Sequence, residues 1–190
     1  MAIHPQLPNA ITIARIPLAL IFLVLLLVGG TYGDANLAVR WVAAALFIVA
    51  ISTDWVDGFL ARKYEIVSDF GKLWDPIADK LLTGLAFVGL AVLSEMPWWM
   101  AIVIFVREWG ITVHRLLVRS THDVAAAWLG KIKTAAQGVV LGWALLPLDV
   151  IFPHAAWTTG TAIGLWVVLV LTIVSGIDYV VAQVRGTRSR

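Results

Sequence analysis

Apolar residues run in long, nearly uncharged stretches separated by short polar segments. A helix crossing a bilayer needs roughly 20 mostly apolar residues, and six stretches approach that length, at residues 7–29, 37–55, 73–93, 98–118, 132–151 and 158–179. Their length, and the absence of short segments of alternating apolar and polar residues, argues for helices rather than barrel strands. No linker or low-complexity tract divides them. The expected fold is therefore all-α: one polytopic integral membrane domain over residues 1–190 with six transmembrane helices. The first stretch is not expected to be a cleaved signal, because residues 1–6 carry no Lys or Arg and Arg15 interrupts the apolar run.

Composition agrees with this reading. Of 190 residues, 61% are hydrophobic and 14% charged, against roughly 45–50% and about 25% in soluble domains. A disordered chain is excluded on the same ground. With no cysteine, disulfides, thiolate nucleophiles and sulfur-ligated metals are excluded as well. The net charge of +2 is small, but its distribution is informative. Six spans put both termini on one side, and that side then holds thirteen of the fourteen Lys and Arg residues, leaving Arg40 on the other. Basic residues mark the cytoplasmic side, so the termini are expected there, with the protein in the cell membrane. Trp41, Trp98, Trp99 and Trp157 fall near the outer helix ends, as interfacial anchors would. Asp34, Glu95 and Asp149 lie near the same face and read as solvated loop charges.

Charges within or beside apolar spans are costly and mark function by default. Asp54 and Asp57 close the second stretch, Asp75 and Asp79 open the third, and the polar segment 61–72 is expected to turn between them. Spacings of three and four residues place each pair on one helical face, and antiparallel neighbours would bring the pairs to one cytoplasmic depth. Four facing carboxylates cannot all stay ionised without compensation. Oxygen ligands select hard divalent ions, Mg2+ or Mn2+, and two such ions suit phosphoryl transfer. Helix caps or interfacial charges would explain one such aspartate, but not two pairs flanked by Gly58 and Gly71. A cation transporter would also use clustered carboxylates, but it needs access from both sides, whereas these sit at one edge. A purely structural membrane scaffold has no use for them.

The residues Asp54-x2-Asp57-Gly58-x2-Ala61-Arg62-x8-Gly71-x3-Asp75-x3-Asp79 resemble the signature of the CDP-alcohol phosphatidyltransferase family at every signature position. The resemblance implies a six-helix membrane enzyme, usually a homodimer, that moves a substituted phosphoryl group from a CDP-linked lipid to an alcohol and releases CMP. It further implies that Asp54, Asp57, Asp75 and Asp79 hold two divalent cations and that Asp79 is the general base. Gly58, Ala61 and Gly71 would make room for the cytidine nucleotide, and Arg62 would offset its diphosphate. CDP-diacylglycerol is the implied donor, membrane lipids are the surroundings, and no nucleic acid is involved.

The signature leaves the acceptor open. Arg107 and Arg115, eight residues apart, share a helical face, and Lys131 and Lys133 open the fifth stretch near the same level. Such cations could hold a phosphate-bearing acceptor; as plain positive-inside residues they would meet lipid headgroups. Residues 7–15, Arg107-Glu108 with Arg115, and residues 130–137 resemble segments of the family branch that uses glycerol 3-phosphate, which makes this the expected acceptor, with inositol phosphate or phosphatidylglycerol as alternatives. Asn9, Thr12 and Arg15 are candidates for lining the same cavity, although Asn9 also suits a helix start. The four histidines share no metal-ligand spacing.

Overall fold

A computed structural model describes residues 7–64, 69–118 and 124–188, and among them the side chains of residues 15–53, 77, 80–114, 117 and 128–184. The described residues form six α-helices and no strand: α1 (Leu7–Gly29), α2 (Leu37–Tyr64), α3 (Asp69–Val92), α4 (Trp98–Val118), α5 (Val124–Leu145) and α6 (His154–Arg188). They group into two compact units, Met1–Glu95 with Leu145–Pro147, and Met96–Ala144 with Leu148–Arg190.

Helices α1 and α4 coincide with the expected stretches. The others overrun or shift. Helix α2 continues to Tyr64 and α3 starts at Asp69, so the expected turn at 61–72 is helical at both ends, and residues 65–68 lie outside the described ones. Hydropathy marks only where a helix is apolar, whereas the backbone ladder runs on through Ala61, Arg62 and Lys63, all good helix formers. Helix α5 begins at Val124 and stops at Leu145, two residues before Pro147, where a residue lacking an N–H cannot continue the ladder.

In the first unit α1 packs against α2 and α3. Ala19, Phe22 and Leu26 on α1, Ala43, Ala44, Phe47 and Ala50 on α2, and Leu82, Ala86 and Leu90 on α3 are all buried; spacings of mostly three and four residues make one buried stripe per helix. The Phe22 and Phe47 rings lie 5.4 Å apart. At Gly89 a Cβ would stand 2.5 Å from Leu26 Cδ2, so α3 approaches α1 closely there.

The helix ends of this unit meet in a buried polar knot. Arg40 is fully buried; its Nη1 and Nη2 bond Glu95 Oε1 and Oε2 at 2.8 and 2.7 Å. The same guanidinium donates from Nε to the Leu145 carbonyl at 2.9 Å and from Nη1 to the Gly30 carbonyl at 3.2 Å. Glu95 Oε1 also accepts from the Tyr32 N–H at 2.9 Å. The expectation of a solvated Glu95 is corrected here: its side chain is 2% exposed. Burial pushes its carboxyl above the ordinary range, and the Arg40 hydrogen bond and charge only partly offset that. Helix α3 ends in a Schellman arrangement, Ser94 N–H to Ala91 O and Glu95 N–H to Leu90 O, with Ser94 at φ 60°. That turn aims Glu95 back at Arg40.

The second unit inverts the pattern of a water-soluble bundle. Helix α6 buries Trp157, Thr161, Leu165, Val168, Thr172, Ser175 and Tyr179, a stripe at helical period that mixes hydroxyls with apolar groups. Glu108 and Thr112 on α4 and Lys133 and Gln137 on α5 are buried too, while Leu117, Val139, Ile163 and Val106 are largely exposed. Trp98 and Trp99 stand half-exposed at the start of α4, but Trp157 is buried rather than interfacial. Within the described residues, His154–Val184 of α6 is long and apolar enough to cross a membrane, and shorter apolar helical runs cover Arg15–Gly29, Leu37–Thr53 and Lys80–Val92.

Candidate active site

The carboxylates expected to hold metal lie in the first unit, on the last three turns of α2 and the first three of α3. Because both helices run through the signature, Asp54, Asp57, Gly58 and Ala61 fall at i, i+3, i+4 and i+7 on one face of α2. Gly71, Asp75 and Asp79 fall at i, i+4 and i+8 on one face of α3. Arg62 is one residue round α2 from that face. The side chains of all eight lie outside the described ones. Among the described residues, no group of three His, Asp or Glu side chains stands close enough to hold a metal ion; that set does not include these four aspartates.

Asn9, Thr12 and Arg15 all sit on α1. Arg15 is 8% exposed, and the side chains of Asn9 and Thr12 lie outside the described ones. A buried arginine inside an apolar helix needs partners, and Arg15 has them.

The basic residues cluster in the second unit around one carboxylate. Arg107 Nη1 donates to Glu108 Oε1 at 2.8 Å, and Lys133 Nζ, reaching across from α5, donates to the same oxygen at 2.5 Å. Arg107 Nη2 donates to Ser175 Oγ on α6 at 2.8 Å. The three side chains of this carboxylate-centred pair of bridges are largely buried, with exposures of 17%, 8% and 2% for Arg107, Glu108 and Lys133. Two cations thus converge on one carboxylate oxygen within a largely buried surround. Arg107 Nε and Gln137 Nε2 are buried donors with no partner among the described residues. Lys131 is exposed; two residues from Lys133, it points to another side of α5 and does not join the cluster. Arg115 lies on α4 two turns beyond Arg107, with its side chain outside the described ones. Nearby, His114 Nδ1 and the Tyr179 hydroxyl are 2.8 Å apart.

Glu108, next to Arg107 in the chain, reads from the sequence as a charge that orients an arginine or pairs with it, and it bonds Arg107; Ser175 was not legible as a site residue. Nothing in the sequence marked Ser175, which reads as one more small residue of an apolar helix.

Residues 5–175 match the CDP-alcohol phosphatidyltransferase family. The chain belongs to that family. It is therefore an enzyme, a CDP-alcohol phosphatidyltransferase. It is 44% identical over 185 residues to the CDP-diacylglycerol–glycerol-3-phosphate 3-phosphatidyltransferase of Bacillus subtilis, covering 92% of this chain and 93% of the relative. It is 39% identical over 180 residues to a probable phosphatidylglycerophosphate synthase of Mycobacterium tuberculosis, covering 95% and 82%. The CDP-diacylglycerol–glycerol-3-phosphate 3-phosphatidyltransferase of Escherichia coli is 34% identical over 189 residues, with coverage of 93% and 94%. The matched family region takes in the aspartate faces of α2 and α3 and the cationic cluster of α4, α5 and α6.

Proposed function

We propose that this phosphatidyltransferase takes the phosphatidyl group from CDP-diacylglycerol and gives it to glycerol 3-phosphate, forming phosphatidylglycerophosphate and CMP. The observation that carries the choice of acceptor is the convergence of Arg107 and Lys133, both largely buried, on the carboxylate of Glu108, which groups two cations of the kinds that bind a phosphate. The names of the relatives agree with it. Arg107 and Lys133 bind that phosphate, Arg115 completes the basic face of α4, and exposed Lys131 draws the anion toward the site.

Asp54, Asp57, Asp75 and Asp79 are the residues that would hold two Mg2+ or Mn2+ ions; four carboxylates at three- and four-residue spacings on α2 and α3 fit hard divalent cations. When bound, the ions supply charge neutralisation at the diphosphate. The residues of the chain do the rest. Asp79 accepts the proton of the acceptor hydroxyl; the oxygen so exposed forms a bond to the lipid-side phosphorus while the phosphorus–oxygen bond to CMP breaks in line. Gly58, Ala61 and Gly71 leave room for the nucleotide, and Arg62 balances its charge. Asn9, Thr12 and Arg15 line the acceptor's path. No covalent enzyme intermediate is needed.

The inside-out character of the second unit, apolar outside and charged within, supports a bilayer setting. In this reading six helices span the cell membrane, both termini and the active site are cytoplasmic, and the chain works as a homodimer among membrane lipids.

The test is CMP release by purified protein given CDP-diacylglycerol, Mg2+ or Mn2+, and a panel of acceptors. Glycerol 3-phosphate should support release that stops with EDTA and returns with metal. Faster release with inositol phosphate or phosphatidylglycerol would reassign the acceptor, and no metal-dependent release with any acceptor would refute the proposal.

A further inference from the structure

Binding a phosphate tightly requires its cations to be held in place beforehand, because ordering long side chains during binding consumes affinity. Arg107 has two tethers. Its Nη1 is bonded to Glu108 on its own helix and its Nη2 to Ser175 on α6, so both ends of the guanidinium fork are fixed. The stem crosses α6 at Gly176, where a Cβ would stand 3.4 Å from Arg107 Cγ. Ser175 is itself oriented: its one proton points back along α6 to the Leu171 carbonyl at 2.6 Å, with the Thr172 carbonyl at 3.2 Å, which leaves the oxygen lone pairs to Arg107. Lys133 is held on the other side of the same Glu108 oxygen. Without that carboxylate the two cations would repel one another in an apolar surround, and their long stems would let them swing apart.

We propose that Glu108 and Ser175 are positioning residues of the acceptor site, holding the Arg107 fork and the Lys133 ammonium at the spacing of one phosphate group. This rests on the reading that Arg107 and Lys133 bind the acceptor's phosphate. Each terminal nitrogen of Arg107 has a second N–H beyond its tether, so the tethers aim the fork without consuming it.

The experiment compares KM for glycerol 3-phosphate, KM for CDP-diacylglycerol and kcat in Glu108→Gln, Ser175→Ala, Ser175→Thr and Lys133→Ala, with inorganic phosphate as a competitive probe. Glu108→Gln should raise the acceptor KM and the phosphate inhibition constant by about tenfold or more, with the lipid KM within about twofold. Ser175→Ala should raise the acceptor KM by about threefold, and Ser175→Thr, which keeps the hydroxyl, should restore it. If Lys133→Ala raises the acceptor KM while both positioning variants leave it unchanged, the positioning role fails and the phosphate site stands. If Lys133→Ala leaves it unchanged, the phosphate site itself fails. Equal rises in both KM values, or a fall in kcat alone, would make Glu108 merely structural. Should Glu108→Gln not fold, the Ser175 pair decides: no threefold rise, or no rescue by threonine, overturns the proposal.

Discussion

Replacing Arg40 by leucine removes every donor that Glu95 finds in α2. Glu95 keeps the Tyr32 N–H, but its buried carboxylate loses its counter-charge, and the Gly30 and Leu145 carbonyls lose their guanidinium donor. Breaking a buried ion pair from one side costs about 3–5 kcal/mol, since the remaining charge stays desolvated. Removing both partners is milder. In Arg40→Leu with Glu95→Leu neither charge of this pair remains, and the loss falls mainly to the unpaired backbone groups, about 1–3 kcal/mol. The double variant should thus be more stable than Arg40→Leu alone. The assay is denaturant unfolding of the detergent-solubilised protein followed by tryptophan fluorescence.

The pH dependence has a definite sign. The folded-state pKa of Glu95 lies above its ordinary 4.5, so the folded protein binds that proton more tightly than the unfolded chain does. Its contribution to stability is full below 4.5 and is lost as pH rises through the folded value. Arg40→Leu widens that window, so its deficit should be largest at neutral pH and shrink on acidification. A deficit under about 1 kcal/mol at neutral pH, a deficit that grows on acidification, or a double variant less stable than the single one would refute the reasoning.

Asp79→Asn should abolish CMP release while leaving CDP-diacylglycerol binding largely intact, as measured by equilibrium binding of the labelled lipid; loss of binding would assign Asp79 to the metal site alone. Ser94 adopts φ 60° at the end of α3, a conformation that glycine takes without strain, so Ser94→Gly should stabilise the protein by about 1 kcal/mol in the same unfolding assay. Gly29→Ala should destabilise it by about 1–3 kcal/mol, because the new Cβ would lie 3.0 Å from the Cα and Cβ of Arg40 and one of these backbones must shift.

Long apolar runs made the six helices legible, since 3.6-residue periodicity and desolvated backbone leave an apolar stretch of that length little alternative to a helix. The aspartate signature was legible for a similar reason: its spacings of three and four residues are local and acquire meaning as soon as the chain is helical. Helix ends were less legible. Hydropathy stops at the last apolar residue, while the hydrogen-bond ladder continues through Ala61 to Tyr64 and from Val124 through Gly130.

Partnership between helices was the hardest part to read. Glu95 looked like a loop charge until the turn after α3 directed it onto Arg40, and Trp157 looked like an anchor until α6 turned it inward. Glu108 stands next to Arg107 in the chain, but its bond to Lys133 depends on the axial register of α4 against α5, and the Arg107 bond to Ser175 on that of α4 against α6. The sequence by itself determined which segments are helical and which side chains are candidates for binding metal and phosphate, because those properties are local. The tertiary structure alone decided which of these side chains meet, because helix register results from many weak packing contacts along whole interfaces, and no single stretch of sequence contains them.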